Sequence, residues 1–156
     1  MIMNIMTWNL ENLFHPHSGG PRLDYTAEQG WTEELFHSKV ERIGLAINSI
    51  ILDHSWAPFI FGFTEVENPT VMQEVLKFLP PQYQVAQDPD FSYAYHDVIV
   101  VYDSASLNMV SCKHHQTFDR FEKGDLCQVD FAIKNTTETL TVFCCHLKAR
   151  PSNAAY

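Results

Sequence analysis

Three polar clusters in this sequence stand directly behind runs of apolar residues. Asn9 and Glu11 follow the run that ends at Trp8, Glu65 follows Phe59-Ile-Phe-Gly-Phe63-Thr64, and His146 follows Leu140-Thr-Val-Phe-Cys-Cys145. A carboxylate behind such a run is costly to bury unless it is paired or holds a metal. Its oxygens suit Mg²⁺, which takes one or two carboxylates and keeps several waters. The plainer alternative for Glu65 is a carboxylate capping the helix that follows. An imidazole at position 146 could steady charge on a phosphoryl oxygen, or be an ordinary satisfied histidine at a strand end. The Asn9 amide could orient a phosphate or a metal-bound water, or simply form a turn. Arg120 could grip a phosphate bidentately, or pair with Asp119 or Glu122 at the surface.

Other clusters carry less chemistry. His15-Pro16-His17 and His114-His115 lack an ordinary zinc spacing with further ligands near in sequence, so they read as loop or surface histidines. Cys112, Cys127, Cys144 and Cys145 contain no Cys-x-x-Cys pair, which makes metal ligation the weaker reading and reduced thiols the stronger. Adjacent Cys144 and Cys145 should point to opposite faces of a strand. No glycine-rich phosphate loop or serine nucleophile elbow occurs.

The elements that must position the three clusters are legible as patterns. Met3 to Trp8 is β-compatible, and a long loop, His15 to Gly30, follows with Pro16, Gly19, Gly20 and Pro21 in it. Phe36, Val40, Ile43, Ile47 and Ile50 recur at spacings of three and four, an apolar stripe on a helix that Thr32 would cap. Phe59 to Phe63 is a continuous apolar run, as in a strand covered on both faces. Asn68-Pro69 opens a second helix with Val71, Met72, Val75, Leu76 and Leu79 inward, closed by Pro80-Pro81. Tyr83 to Gln87 and Val98 to Tyr102 read as strands, and from Leu107 onward the pattern is a β-meander with a turn at Asn135 to Thr139. Strand, helix, strand, helix and then several strands make an α/β or α+β fold. Each cluster then sits at the carboxyl end of a strand, where ligands collect in layered α/β folds.

The chain of 156 residues fits one domain, and 46% hydrophobic with 19% charged residues describes a globular protein. A net charge of −9 argues against holding nucleic acid mainly by phosphate neutralisation, although a metal ion could supply the missing positive charge. No signal peptide or membrane span is evident, so the expected location is cytoplasmic.

Four of these segments, in this order, resemble the endonuclease/exonuclease/phosphatase (DNase I-like) superfamily. Met6-Thr-Trp-Asn-Leu-Glu-Asn-Leu-Phe14 is similar to the opening motif of its bacterial endonuclease-like branch, and Phe61-Gly-Phe-Thr-Glu-Val-Glu-Asn68 to its metal-binding glutamate motif. His96-Asp-Val-Ile-Val-Val-Tyr-Asp103 and Val142-Phe-Cys-Cys-His-Leu-Lys-Ala-Arg150 resemble two further strands of the family. The resemblance implies Glu65 as principal ligand of Mg²⁺ or Mn²⁺ with Glu11 supporting it. It also implies Asn9, Arg120 and His146 on the substrate phosphate, Asn9 and His146 as catalytic groups, and Asp97 as a partner behind them. The implied reaction is in-line attack of water on phosphorus, with one or two metal ions stabilising the developing charge.

The family's Gly-Asp-Phe-Asn motif and C-terminal Asp-His pair have no counterpart. Gly124-Asp125 continues as Leu126-Cys127, and Asp53-His54 comes too early in the order. Residues 1–156 therefore read as a partial domain lacking the C-terminal half: the first half of a four-layer α/β sandwich, one mixed sheet with helices on one face. That expectation carries three others: a bare apolar inner sheet face, self-association through it, and no turnover by the chain alone. The competing reading is a non-catalytic binding or assembly module that keeps half of the fold. Among phosphoester substrates, nucleic acid included, acidity leans toward small or lipid phosphoesters and the opening motif toward the endonuclease-like branch.

Overall fold

The computed structural model describes residues 2–16, 26–54, 59–91, 96–115 and 126–146. Within them the chain runs β1 (Asn4–Leu13), a short 3₁₀ turn (Ala27–Gln29), α1 (Glu33–Asp53), β2 (Phe59–Val66), α2 (Pro69–Leu76) and β3 (Tyr83–Val85). It continues through β4 (Asp97–Asp103), β5 (Leu107–His115), β6 (Leu126–Ile133) and β7 (Thr139–Cys145). The first sheet has the order β1-β2-β4-β3, with β1 parallel to β2 and both remaining pairs antiparallel. The parallel pair requires a crossover, and α1 supplies it. Among the described residues no helix is long and apolar enough to cross a membrane.

The helices cover one face of this sheet. Thr32 caps α1, its hydroxyl accepting from the Leu35 N–H at 3.3 Å, and Glu33 and Glu34 lie at the positive end of the helix dipole. Phe36, Val40, Ile43, Ile47 and Ile51 are buried; Ile50 lies at the edge of the stripe rather than in it. Asn68 caps α2 by accepting from the Val71 N–H at 3.0 Å, with Pro69 at the first helical position. Beneath them Phe59, Phe61 and Phe63 stack along β2 with ring centroids 5.1 and 5.8 Å apart. Gly44 of α1 has no room for a side chain, because a Cβ there would lie 2.6 Å from Phe78 Cβ.

The other face of the first sheet is covered by a second sheet, order β5-β6-β7, antiparallel throughout. Ile60, Val98, Val100 and Tyr102 from the first sheet share a core with Leu107, Cys112, Cys127, Val129, Phe131 and Cys144 from the second. The expectation of one sheet with a bare inner face is thus corrected. The meander folds back over the first sheet, and all of β4 is buried between the layers. Coverage stops at β1: Ile60 is 1% exposed, while Ile5, its neighbour on the same face, is 64% exposed. The outer face of the second sheet is polar, with Asp130 accepting from the Ser111 and Thr141 hydroxyls at 2.6 Å each.

The strands do not end regularly where the polar clusters lie. Pairing of β1 with β2 shifts register between Asn9 and Leu13, and that of β2 with β4 shifts between Thr64 and Val66. At these shifts Glu11, Asn12 and Glu65 take left-handed backbone angles (φ 51°, 61° and 59°), and Asp97, which opens β4, has φ 61°. Non-glycine residues adopt this region at a cost, and bulges of this kind re-aim side chains.

Two predictions follow from this geometry. A Cβ at Gly62 would lie 2.6 Å from Cys144 Sγ across the sheet interface. Gly62→Ala should cost about 1–3 kcal/mol in urea unfolding, and Gly62→Ala/Cys144→Ala should recover most of it; strictly additive losses would mean that the sheets do not meet there. At position 65, glycine should be more stable than alanine by about 1 kcal/mol, and equal stabilities would rule out the left-handed conformation.

Candidate functional site

The two bulged strand ends, the start of β4 and the end of β7 lie together because β4 runs antiparallel to β2 and β7 ends over the start of β4. His146 is the meeting point. Its Nδ1 lies 3.1 Å from Asp97 Oδ2, and its Nε2 lies 3.6 Å from Glu65 Oε1. The row is open at Glu65 and His146, whose side chains are 19% and 24% exposed, and closed at Asp97, 1% exposed. The Asp97 carboxylate can only accept, so His146 Nδ1 carries the proton and Nε2 faces the open side.

Glu65 and Glu67 are separated by the bulge into different jobs. Glu67 is buried, and its carboxylate accepts from the His15 N–H at 2.7 Å and the Asn68 side-chain amide at 3.2 Å. Its backbone N–H donates to Leu13 O at 3.1 Å, and its carbonyl accepts from the His96 N–H at 2.7 Å. Glu67 therefore joins the end of β1, the start of β4 and the start of α2, while Glu65 is left facing His146.

On the β1 side, Asn9 Oδ1 accepts from the Glu11 N–H at 2.8 Å, which fixes the turn into the left-handed pair Glu11 and Asn12. Both uses foreseen for Asn9 bear on this: its oxygen forms the turn, and the side chain sits at the exposed end of the strand. Lys39 of α1 donates from Nζ to Glu11 O at 2.7 Å and to Asn12 O at 3.4 Å, and lies over the Trp31 ring at 5.6 Å from its centroid. Burial draws the Lys39 pKa below the ordinary lysine value, against the charges of Glu11 and Glu65, which raise it. Lys39 responds to both glutamates, and sequence reasoning missed it. The available signal was its place beside the apolar stripe, three residues from Phe36 and four from Ile43.

A cavity of about 330 Å³ lined by Trp8, Asn9, Glu11 and Lys39 opens beside these groups. A larger hollow of about 470 Å³ is lined by His15, Phe36, Glu67 and Glu74. Neither hollow is lined by Glu65, Asp97 or His146, and it is the convergence of those three side chains at the strand ends that marks the candidate site. Arg120 lies outside the described residues. Asp53 and His54 finish α1, where the His54 carbonyl meets the Asn4 side chain at 3.5 Å at the start of β1, the opposite end from Glu11.

The donor set at this end is built from carboxylate and amide oxygens with one imidazole, which matches a hard divalent cation. Comparison with solved structures finds the same architecture in an endonuclease/exonuclease/phosphatase family protein from Bacteroides thetaiotaomicron, with a TM-score of 0.53 and 14% identity. The alignment covers 90% of this chain and 47% of that one, so the chain spans about half the length of that protein. The comparison with curated proteins finds no match. Residues 4–151 match the model of the Endonuclease/Exonuclease/phosphatase family, to which the chain therefore belongs.

Proposed function

We propose that this chain carries the metal- and phosphate-binding half of a divalent-metal-dependent phosphoester hydrolase. The observation that supports this best is the row Glu65–His146–Asp97, set at strand ends whose backbone is left-handed. A binding surface needs no such strain, whereas catalytic groups are commonly held this way.

Glu65 would hold Mg²⁺ or Mn²⁺, with Glu11 supporting it. Their fit rests on chemistry and charge: both are oxygen donors, and both act on the same partly buried Lys39. When bound, the metal supplies Lewis acidity at the phosphoryl oxygens and offsets the acidity of the chain. His146, its Nδ1 held by Asp97, would direct Nε2 toward a non-bridging phosphate oxygen. Asn9 and Arg120 would orient the phosphate. Asp97 acts through His146 as a positioning residue. Activating the attacking water requires a further acid–base pair, and the described site contains none beyond His146 and its carboxylates.

Manganese titration followed by electron paramagnetic resonance tests the assignment. Glu65→Gln should weaken Mn²⁺ binding by tenfold or more, roughly 1.4 kcal/mol, and unchanged affinity would sink it. Glu67→Ala should leave Mn²⁺ affinity in place yet destabilise the fold by about 1–3 kcal/mol, because the His15 N–H loses its acceptor. With bis(4-nitrophenyl) phosphate the 156-residue chain should show no turnover; Mg²⁺-dependent turnover lost in Glu65→Gln would mean that it activates water by itself.

A further inference from the structure

Between the two sheets, behind the site, lies a cluster that the proposed reaction does not use. Cys112 and His114 lie two residues apart on β5, and Cys127 of β6 pairs directly with His114. One ligand atom from each, two sulfurs and a ring nitrogen, lie within 4.8 Å of one another. Cys127 is 0% exposed and Cys112 8%, and the His114 side chain is 2% exposed, which corrects the reading of His114 as a surface histidine.

Three details go beyond proximity. Cys112 Sγ and Cys127 Sγ are 3.8 Å apart. Two thiolates on a tetrahedral zinc ion, each at about 2.3 Å, would stand about 3.8 Å apart. His114 Nε2 lies 3.2 Å from the Val98 carbonyl, which can only accept, so Nε2 carries the proton and Nδ1 is left with a lone pair. This buried Nδ1 has no hydrogen-bond partner, and Asp88 Oδ2 lies 3.7 Å from it. Burial favours the neutral ring over the imidazolium. Asp88 Oδ2 accepts from the His114 backbone N–H at 2.7 Å, while the Nδ1 lone pair beside it meets no donor, an arrangement that a cation completes. Metal-bound histidines commonly donate their second N–H to a backbone carbonyl in this way.

We propose that Cys112, His114 and Cys127 form a zinc site, with Asp88 as the fourth donor. Soft thiolates with imidazole select Zn²⁺ over Mg²⁺. In the metal-free chain the Cys112 thiol and burial push the Cys127 thiol upward, and zinc bound there would displace the Cys127 proton to solvent. A hollow of about 500 Å³ lined by Asp88, Phe91, Cys112, His114 and Gln128 gives access. The site would staple the stretch after β3, through Asp88, to the second sheet. Val98 directly follows Asp97 in β4, so the staple stands behind the His146–Asp97 contact.

The test uses the reduced, chelator-treated chain with Co²⁺ and Zn²⁺ as probes. Co²⁺ should bind one to one with a thiolate-to-metal charge-transfer band, which Zn²⁺ abolishes and excess Mg²⁺ leaves intact. Cys112→Ser, Cys127→Ser and His114→Gln should each weaken binding by more than the roughly 10–100-fold typical of outer partners, whereas Cys145→Ser and Glu65→Gln should not change it. Alkylation mapped by mass spectrometry keeps the test independent of whether the variants fold: Zn²⁺ should protect Cys112 and Cys127 and leave exposed Cys145 reactive. Absence of the charge-transfer band, or equal labelling of Cys112 and Cys127 with and without Zn²⁺, overturns the proposal.

Discussion

A carboxylate whose side chain is 1% exposed must be matched by donors, and Asp97 turns that demand into architecture. It opens β4 in the first sheet, and His146, 3.1 Å away, closes β7 in the second. The contact therefore helps to set the relative position of the two sheets, together with the 3.2 Å contact between His114 Nε2 and the Val98 carbonyl. Hydrophobic burial between Val98, Val100, Tyr102 and Val129, Phe131 holds the layers together but tolerates sliding. A hydrogen bond to a buried carboxylate is directional and does not. With Asp97 in place the imidazole has one orientation, and Glu65 meets its far nitrogen.

How much of this was visible beforehand depended on whether the signal was periodic. The α1 stripe, the Thr32 and Asn68 caps, the doubly buried β2 and the opposed faces of Cys144 and Cys145 follow from local spacing, and the structure has them. Asn9, Glu11, Glu65 and His146 were singled out by their places at strand ends and Asp97 by the family resemblance, and these positions lie together. What stayed hidden was non-local or conformational. Left-handed angles at Glu11, Asn12, Glu65 and Asp97 carry no glycine to announce them. Lys39 enters the site from a helix whose sequence explains only its buried face. The second sheet, with His114 and Cys127 paired across 13 positions, depends on a strand register that spacing alone does not reveal.

The two donor groups are segregated by chemistry as well as by position. Carboxylates at the solvent-facing strand ends suit a cation that keeps its waters and exchanges substrate. Thiols and an imidazole packed between sheets suit one that sheds its waters and stays. Had Cys112 and Cys127 stood at the strand ends, their sulfurs would have lain among the carboxylates. The fold avoids this by placing Asp97 and Val98, consecutive in β4, in contact with His146 and His114 respectively.

Strained strand ends persist only when their surroundings over-determine them. Four left-handed residues, each unfavourable by about 1–2 kcal/mol for an ordinary side chain and less for Asn and Asp, would relax if either flanking strand could slip. Glu67 prevents that. Its N–H is bonded to Leu13, just past Glu11 and Asn12; its carbonyl is bonded to His96, just before Asp97; and its carboxylate holds the His15 and Asn68 amides. One buried residue thus pins the far side of three of the four distortions, while it lies two residues beyond the fourth, Glu65. The Thr-Glu-Val-Glu-Asn segment accordingly uses its two glutamates differently. Glu65 can face the open site in a strained conformation because Glu67, turned inward, leaves the backbone around it nowhere else to go.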